Sequence, residues 1–416
     1  MLIYKGPCAA VNKIPAVYRQ PKTALSSLTQ YMNFPIAQRI ADLRPSDIRL
    51  MTKECERVGG INLGQGLGDL PTPPLVRDGA IKAILEGQNT YTPSEGVSPL
   101  RLAIAEKLKR DNGLDVDPDK EIVISSGTTG AFAATLTALL NPGDGILLLE
   151  PYYGYHLNTI LLNGLEPQFL TLTPPEFSLD EAALNAAVRP NTRAMVLCTP
   201  SNPSGKMSSA EELAIVERVA ERHNLLIISD EIYEYITYDG RQHISPASVG
   251  RLRERTVSIM GFSKTFSITG WRLGYAVADA ALATAINLVN DLLYVCAPSP
   301  LQYGAAAGLQ APPEYFQSLR NEYQRKRDII CAGLHEAGLT PLVPQGAYYV
   351  LASIAHLGFA DAKTAALILL AQTGVASVPG SSFYQSSSGE GLIRFCFAKD
   401  DATLHEAVKR LSKFRV

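Results

Sequence analysis

Short apolar runs alternate with helical patterns through the middle of the chain, from about residue 120 to residue 275. The runs are rich in Ile, Val and Leu, and the segments between them have helix length with apolar residues spaced near 3.6. Strands that are apolar on both faces and separated by helices predict a mostly parallel sheet covered by helices on both sides. Ligands of such sheets bind beyond the carboxyl ends of the strands. The predicted strands are 122–124, 146–149, 194–197, 225–228 and 257–260, and the predicted helices are 130–140, 154–163 and 209–223.

The last third of the chain has a different pattern. It predicts a long charged helix, a strand, a second helix, another strand and a closing helix, which is the order of a smaller α+β domain. With 416 residues, the chain exceeds the length at which one hydrophobic core keeps growing. We therefore predict an α/β protein of two domains. Residues 1–70 form an N-terminal arm and part of the small domain, 71–300 the large domain, and 301–416 the rest of the small domain.

Composition favours a small-molecule ligand. The net charge of −2 gives no electrostatic case for binding nucleic acid or an anionic membrane, and no apolar run has the length of a membrane span. The six cysteines show no metal-ligand spacing, so we expect no metal site and read them as reduced thiols of a cytoplasmic protein. The first 41 residues contain no Asp or Glu, as in a targeting peptide. Their prolines would interrupt the helix such peptides need, which favours an extended arm lying on a neighbouring surface.

Loops after four of the predicted strands carry groups that a planar, phosphorylated ligand needs. Residues 125–132 place glycine and hydroxyl side chains at the start of a helix, where free N–H groups and the positive helix end suit a phosphate. Residues 150–155 supply tyrosine rings on which a heterocycle can stack. A rigid proline-rich turn presents Asn202, whose amide can donate to a ring hydroxyl. Asp230 can keep a pyridine nitrogen protonated.

Each of these features alone has an ordinary structural explanation. Ser, Thr and Gly before a helix are common capping residues, an Asp at a strand end is often an N-cap, and Glu231 is expected at the surface. The loop after the fifth strand changes the interpretation, because Lys264 is followed eight residues later by Arg272 between glycines. A lysine whose pKa is lowered by burial and nearby cations can form a Schiff base with an aldehyde. The planar guanidinium of Arg272 suits a phosphate.

Arg394 stands on an otherwise apolar predicted strand. A buried guanidinium is costly without an anion. That anion is either a substrate carboxylate or a carboxylate of the chain itself, which would form a structural ion pair with Arg394.

In their order along the chain, these motifs resemble those of the class I/II aminotransferases, which are fold-type I pyridoxal 5'-phosphate enzymes of the aspartate aminotransferase superfamily. The resemblance extends from about residue 60 to the end of the chain. It rests on Tyr91 with Gly96, on the stretches 202–205, 229–233 and 263–274, and on Arg394.

The resemblance implies an aminotransferase that moves an amino group between an L-amino acid and a 2-oxo acid with pyridoxal 5'-phosphate as cofactor. Lys264 matches the lysine that forms the internal aldimine and moves the Cα proton, and Asp230 matches the partner of the pyridine nitrogen. Tyr233 and Asn202 match the ligands of the ring oxygen, and Tyr153 takes the place of the stacking aromatic. Residues that match the phosphate site are Gly127, Thr128, Thr129, Ser263 and Arg272.

Two further matches concern the substrate and the second subunit. Arg394 matches the arginine that binds the substrate α-carboxylate, with the backbone of Gly66 beside it and Asn202 also facing the substrate. Tyr91 matches the tyrosine that reaches the phosphate from the other subunit. The resemblance therefore implies a homodimer with shared active sites.

The chain departs from the family pattern at three places, of which Gly68 and the segment 291–301 leave the reaction open. Gly68 stands where many relatives have proline, Gly261 where some have serine, and residues 291–301 do not match the usual pattern. An enzyme that eliminates or replaces a β- or γ-substituent, or cyclises its substrate, is the alternative. A ligand sensor fused to a DNA-binding domain is disfavoured, because the chain has no basic helix-turn-helix pattern. The amino donor is not identified by the sequence, and we find no second arginine placed for a distal carboxylate.

Overall fold

The computed structural model describes residues 37–40, 43 and 46–415. Most of the acid-free N-terminal segment, with its predicted arm, lies outside the described residues. The α-helices are α1 (Asp47–Arg57), α2 (Pro74–Leu85), α3 (Ser98–Asn112), α4 (Gly127–Leu139), α5 (Gly154–Leu162), α6 (Glu181–Ala187), α7 (Ala210–His223), α8 (Ala280–Tyr294), α9 (Ser299–Leu309), α10 (Pro313–Glu336), α11 (Ala362–Thr373) and α12 (Asp401–Leu411). The strands are β1 (Ile61–Asn62), β2 (Ile122–Ser126), β3 (Gly145–Glu150), β4 (Glu166–Thr171), β5 (Thr192–Cys198), β6 (Leu226–Asp230), β7 (Thr256–Gly261), β8 (Leu273–Val277), β9 (Thr340–Leu342), β10 (Tyr349–Ser353), β11 (Val375–Ala376), β12 (Val378–Pro379) and β13 (Leu392–Cys396).

The large sheet has seven strands in the order β2-β8-β7-β6-β5-β3-β4. β8 is antiparallel to both of its neighbours, and the remaining pairs are parallel. The predicted fold class is therefore confirmed. Because β2, β3, β5, β6 and β7 point the same way, the loops after them meet at one edge of the sheet.

Both faces of this sheet are buried, as the continuous apolar runs predict. Ile146 and Leu148 of β3 pack on one face in a cluster with α4 and α5, whereas Leu147 packs on the other face in a cluster with α7. Alternate side chains of a strand point to opposite faces, so an apolar run of this kind fills both cores at once.

The sequence patterns do not reveal β4 and β8. β4 lies at the edge of the sheet, is partly exposed and contains Pro167, which an edge strand tolerates because one side of it has no hydrogen-bonding neighbour. β8 follows so closely on the glycine-rich loop after β7 that its apolar run is short. The apolar patterns of β4 and β8 are therefore too weak to distinguish these strands from the neighbouring loops.

A smaller antiparallel sheet, in the order β12-β13-β10-β9, lies in the C-terminal part of the chain. β1 pairs in parallel with β11, with Ile61 opposite Val375. The segment before α2 is thus tied to the C-terminal elements, although the domain limits at residues 70 and 300 stay a prediction. Within the described ranges, none of the helices combines the length and apolarity needed to cross a membrane.

Candidate active site

A cavity of about 220 Å³ opens at the edge of the large sheet where the carboxyl ends of the parallel strands meet. Side chains from the loops after β2, β3, β5, β6 and β7 line it, together with residues of the small sheet and of the segment before α2. The predicted site residues on its wall are Gly66, Thr128, Thr129, Tyr153, Asn202, Asp230, Tyr233, Ser263, Lys264, Arg272 and Arg394. The structure therefore brings together nearly the whole predicted constellation.

Lys264 enters this cavity from the loop that follows β7. Desolvation lowers the pKa of its amine to about 8, and the nearby guanidinium groups of Arg272 and Arg394 act in the same direction. Its Nζ lies 5.4 Å from the ring centroid of Tyr348 and 5.9 Å from that of Tyr233. A substantial fraction of the amine is consequently neutral, and therefore nucleophilic, slightly above neutral pH.

Asp230, the last residue of β6, is held by a histidine from a different element. Nε2 of His156 on α5 lies 2.9 Å from Asp230 Oδ2, and both side chains are buried. The imidazole packs against Phe132 and meets the Tyr153 ring edge-on, with centroids 4.7 and 5.3 Å apart. The sequence analysis missed His156, because a single histidine in an amphipathic helix does not show which side chain it faces.

Glu231 contradicts its surface prediction. Its carboxylate is fully buried, 2.7 Å from His243 Nε2, and also accepts a hydrogen bond from Ser245 Oγ at 3.1 Å. A buried carboxylate needs such partners. They come from the loop before β7, which the pattern of β6 does not reveal.

Tyr233 lies on a turn after β6, and its hydroxyl donates to the Tyr349 hydroxyl at 3.2 Å. Burial raises the pKa of Tyr233 well above its usual range, so the phenol remains protonated. In this structure that single proton is donated to Tyr349, so donation to a ligand would require the hydroxyl to turn away from Tyr349.

Close backbone packing shapes the end of the cavity near Arg272. Gly127 begins α4 with φ of +73°, and a Cβ there would lie 2.5 Å from Arg272 Nη2. A Cβ at Gly274 would lie 2.5 Å from the Thr128 backbone N. Arg272 Nη1 donates to the neutral carbonyl of Thr269 at 3.1 Å. The start of α4, Thr128, Thr129 and the Arg272 guanidinium therefore lie close together. This arrangement needs glycine at positions 127 and 274, because a larger residue would not fit.

The packing around position 261 explains why this chain has glycine there. A Cβ at this position would lie 2.9 Å from Ile232 Cδ1 and 3.0 Å from Thr128 Cγ2. Here the serine of some relatives would require Ile232 or Thr128 to shift. Ile232, which the sequence analysis did not single out, lines the cavity at this point.

Arg394 lies on β13, with only 1% of its surface exposed. Nη1 donates to Asn202 Oδ1 at 2.9 Å and Nη2 to the carbonyl of Gly64 at 2.6 Å. Its Cζ lies 4.3 Å from the ring centroid of Tyr349 and 4.8 Å from that of Phe383. Both hydrogen-bond partners are neutral, and Nε has no partner among the described residues. No carboxylate among the described residues pairs with this buried positive charge, which favours an anion supplied by a ligand.

Gly66, whose backbone is predicted to lie beside the substrate carboxylate, lines the cavity, whereas the backbone carbonyl that accepts from Arg394 belongs to Gly64. The carbonyl of Gly66 instead accepts a hydrogen bond from the Tyr348 hydroxyl at 3.0 Å. A Cβ at position 66 would collide with the Tyr349 hydroxyl, so this approach of backbone to side chain requires glycine.

Two predicted site residues do not line the cavity of the single chain: Gly127, which packs against the Arg272 guanidinium, and Tyr91. The side chain of Tyr91 is 83% exposed, on the loop between α2 and α3. Within one chain it is therefore not part of the site.

Comparison with known proteins places the chain among characterised enzymes. The family model described as "Aminotransferase class I and II" matches residues 58–411. A probable N-succinyldiaminopimelate aminotransferase of Mycobacterium tuberculosis is 36% identical over 373 residues, which cover 87% of this chain and 94% of the relative.

Solved structures agree over the same region. The N-succinyldiaminopimelate aminotransferase structure from Mycobacterium tuberculosis superposes with a TM-score of 0.88 at 35% identity, covering 91% of this chain and 99% of its own. YbdL from Escherichia coli, described with a methionine aminotransferase function, has a TM-score of 0.88 at 32% identity and covers 92% of this chain and 100% of its own.

Proposed function

Since the chain belongs to the class I and II aminotransferases, we propose that its cavity binds pyridoxal 5'-phosphate and that Lys264 is the residue to which the cofactor is attached. The observation that carries the proposal is the meeting of complementary groups in one cavity. An amine of lowered pKa, a buried carboxylate and two guanidinium groups with neutral partners all line it. As an aminotransferase, the protein moves an amino group between an L-amino acid and a 2-oxo acid.

The residues around Arg272 fit the phosphate. Gly127 and Gly274 leave room that a Cβ would fill, and α4 begins there with its free N–H groups and positive dipole end. Thr128, Thr129 and Ser263 add hydroxyl groups on the cavity wall, and the guanidinium adds charge-assisted donors.

Other residues fit the pyridine ring. The Asp230 carboxylate, oriented by His156, would keep a proton on the ring nitrogen. Oδ1 of Asn202 accepts from Arg394, which leaves the Asn202 Nδ2 group to donate to the ring oxygen beside the protonated Tyr233. Tyr153 and Ile232 supply apolar walls of the same cavity.

When bound, the cofactor supplies an aldehyde that takes up the substrate amine and a protonated ring that stabilises negative charge at Cα. Arg394 holds the α-carboxylate, which fixes the substrate Cα within the cavity. Lys264 would hold the cofactor through Nζ, and the same amine would move a proton between the substrate Cα and C4′ of the cofactor. Its lowered pKa suits both the nucleophilic and the basic role near neutral pH.

The half-reaction with amino acid alone tests this function. We expect an added L-amino acid, in the absence of oxo acid, to convert the bound cofactor to its amine form and release one oxo acid per site. Release of ammonia without this conversion would favour the elimination chemistry and contradict the proposal. Both outcomes can be read from the cofactor absorbance together with an ammonia assay.

The pH dependence of cofactor capture tests the environment of Lys264. Because only the neutral amine attacks the aldehyde, and the pKa lies at about 8 instead of 10.5, capture by cofactor-free protein should slow below pH 8 and level off above it. Stopped-flow absorbance from pH 6.5 to 10 measures this midpoint. A rate that still rises steeply at pH 10 would show an amine of ordinary pKa.

A second copy of the chain completes the site in our proposal, with Tyr91 reaching the partner's phosphate site. Asn287 Nδ2 donates to Ser94 Oγ at 2.9 Å, which places α8 against the loop that carries Tyr91. α8 presents apolar side chains outward, with Leu288 65% and Leu292 86% exposed. Exposed apolar groups on a helix that contacts the loop of an exposed tyrosine are typical of a surface that another protein covers.

Leu292→Asp is expected to weaken the dimer, because it would bury a charge at the proposed interface. Sedimentation equilibrium of the unsubstituted protein should give twice the chain mass of 44.9 kDa, and the variant should shift towards the monomer with weaker cofactor binding. Val343→Asp, at a position 61% exposed on the loop after β9, is the matched control and should remain dimeric. A monomeric unsubstituted protein with full activity would contradict the proposal.

A further inference from the structure

This inference rests on the proposed function, in which every lysine and arginine on the cavity wall already binds a group of the cofactor or substrate. Lys264 meets the cofactor aldehyde, Arg272 the phosphate and Arg394 the α-carboxylate. Among the described residues, the wall carries no further lysine or arginine. Within the described part of one chain, a carboxylate at the far end of a substrate side chain would therefore meet no positive charge.

Two other cations, Lys399 and Arg49, lie near the cavity in sequence. Neither is placed to bind a carboxylate at the end of a substrate side chain. Lys399 Nζ lies 3.2 Å from Asp69 Oδ1 and 3.4 Å from the Leu67 carbonyl, so it is paired with these groups, and it does not line the cavity. Arg49 follows Ile48 on α1 but is exposed and does not line the cavity.

The wall left for the substrate side chain is mostly apolar. Ile48, Leu67 and Tyr155 line the cavity apart from the residues that fit the phosphate, the ring and the α-carboxylate, and Gln65 adds one neutral polar group. Leu67 is 44% exposed and Tyr155 40% exposed, so both keep apolar surface that a ligand can cover. Covering such surface is favourable, whereas desolvating an unpaired carboxylate against it is strongly unfavourable.

The loop of Leu67 is held by contacts with the C-terminal part of the chain. The Gly66 carbonyl accepts from Tyr348, the Leu67 carbonyl from Lys399, and the Asp69 N–H donates to the Ala398 carbonyl at 3.0 Å. These contacts fix the backbone on both sides of Leu67, although Gly68 replaces the proline of many relatives. A side chain presented from a fixed backbone can discriminate between substrates, because little ordering is needed on binding.

We infer that the preferred amino donor has a large, uncharged, apolar side chain, and that Leu67 and Ile48 select it. Aliphatic, thioether and aromatic amino acids fit this description, and aspartate does not. Alanine, which has no side chain beyond a methyl group, should gain little from either residue.

Single-turnover half-reactions with methionine, phenylalanine, alanine and aspartate test the inference. We expect kcat/KM for methionine or phenylalanine to exceed that for aspartate at least tenfold. Leu67→Ala and Ile48→Ala should each lower kcat/KM for the large donors about tenfold, in keeping with the loss of a few methylene contacts, and change that for alanine less than threefold. Val343→Ala is the matched control and should leave every donor unchanged.

A binding measurement separates recognition from chemistry. The unreactive acid 3-phenylpropionate should bind the holoenzyme more tightly than succinate, and Leu67→Ala should remove most of that difference. Preference for aspartate, or equal losses for alanine and methionine in both variants, would overturn the inference and leave the proposed function standing. Absence of conversion with any amino acid would instead contradict the proposed function.

Discussion

Replacing Lys264 with alanine abolishes transamination, with an expected loss of about 10⁴-fold or more in kcat. In the proposed mechanism the variant loses both the nucleophile that attaches the cofactor and the base that moves the Cα proton, and each role alone is worth orders of magnitude. Steady-state turnover measures the loss, and the absorbance of the bound cofactor should change at the same time because the covalent link is gone. Lys109→Ala, at an exposed position on α3, is the control and should retain full activity.

Folding of the Lys264→Ala variant should be intact. The pKa of Lys264 in the folded protein lies below its ordinary value of 10.5, so between about pH 8 and 10.5 the unfolded chain binds more protons and the free energy of unfolding rises with pH. Below that window the folded state bears the full cost of a charged amine in the cavity. Its removal should therefore not lower the melting temperature of cofactor-free protein at pH 7. Retained turnover in a folded variant would contradict the role of Lys264.

Replacing Arg394 with methionine should lower kcat/KM for amino acids by roughly 10²- to 10³-fold. A buried charge that meets a carboxylate through a bidentate fork is worth several kcal/mol, and methionine fills a similar volume without either charge or donors. Arg394→Lys keeps the charge but not the fork, so we expect partial rescue at best.

An amine that lacks a carboxylate provides the control for Arg394. Its slow half-reaction should be nearly unaffected in Arg394→Met, because it makes no use of the guanidinium. An equal loss for amine and amino acid would show that Arg394 supports the cavity by packing between Tyr349 and Phe383 and does not bind the carboxylate.

Much of the site was predictable because its side chains follow strands. Parallel strands end at one edge of a sheet, so Asn202, Asp230 and Lys264 had to lie near one another once the strands were identified. Residues placed by helices or by the small sheet were harder to predict. The contact of His156 with Asp230 depends on how α5 is rotated on the sheet, and the contact of the Gly64 carbonyl with Arg394 depends on the path of an irregular loop.

The features that sequence reasoning could not supply are those set by several elements at once. The pKa of Lys264 depends on desolvation by the whole cavity, and the apolar wall at Ile48 and Leu67 forms only when the segment before α2 meets the large sheet. Tyr91 illustrates a different limit, since a residue that is 83% exposed in one chain acquires a role only in the proposed dimer.

The central claim is that Lys264 carries the cofactor, and covalent trapping tests it most directly. Reduction of the holoenzyme with borohydride fixes the cofactor to its lysine, and peptide mapping by mass spectrometry then locates it. We predict one modified residue per chain, Lys264, with no modification when an excess of an amino acid substrate has converted the cofactor beforehand. Modification at another lysine, or none at all in a fully active preparation, would contradict the account.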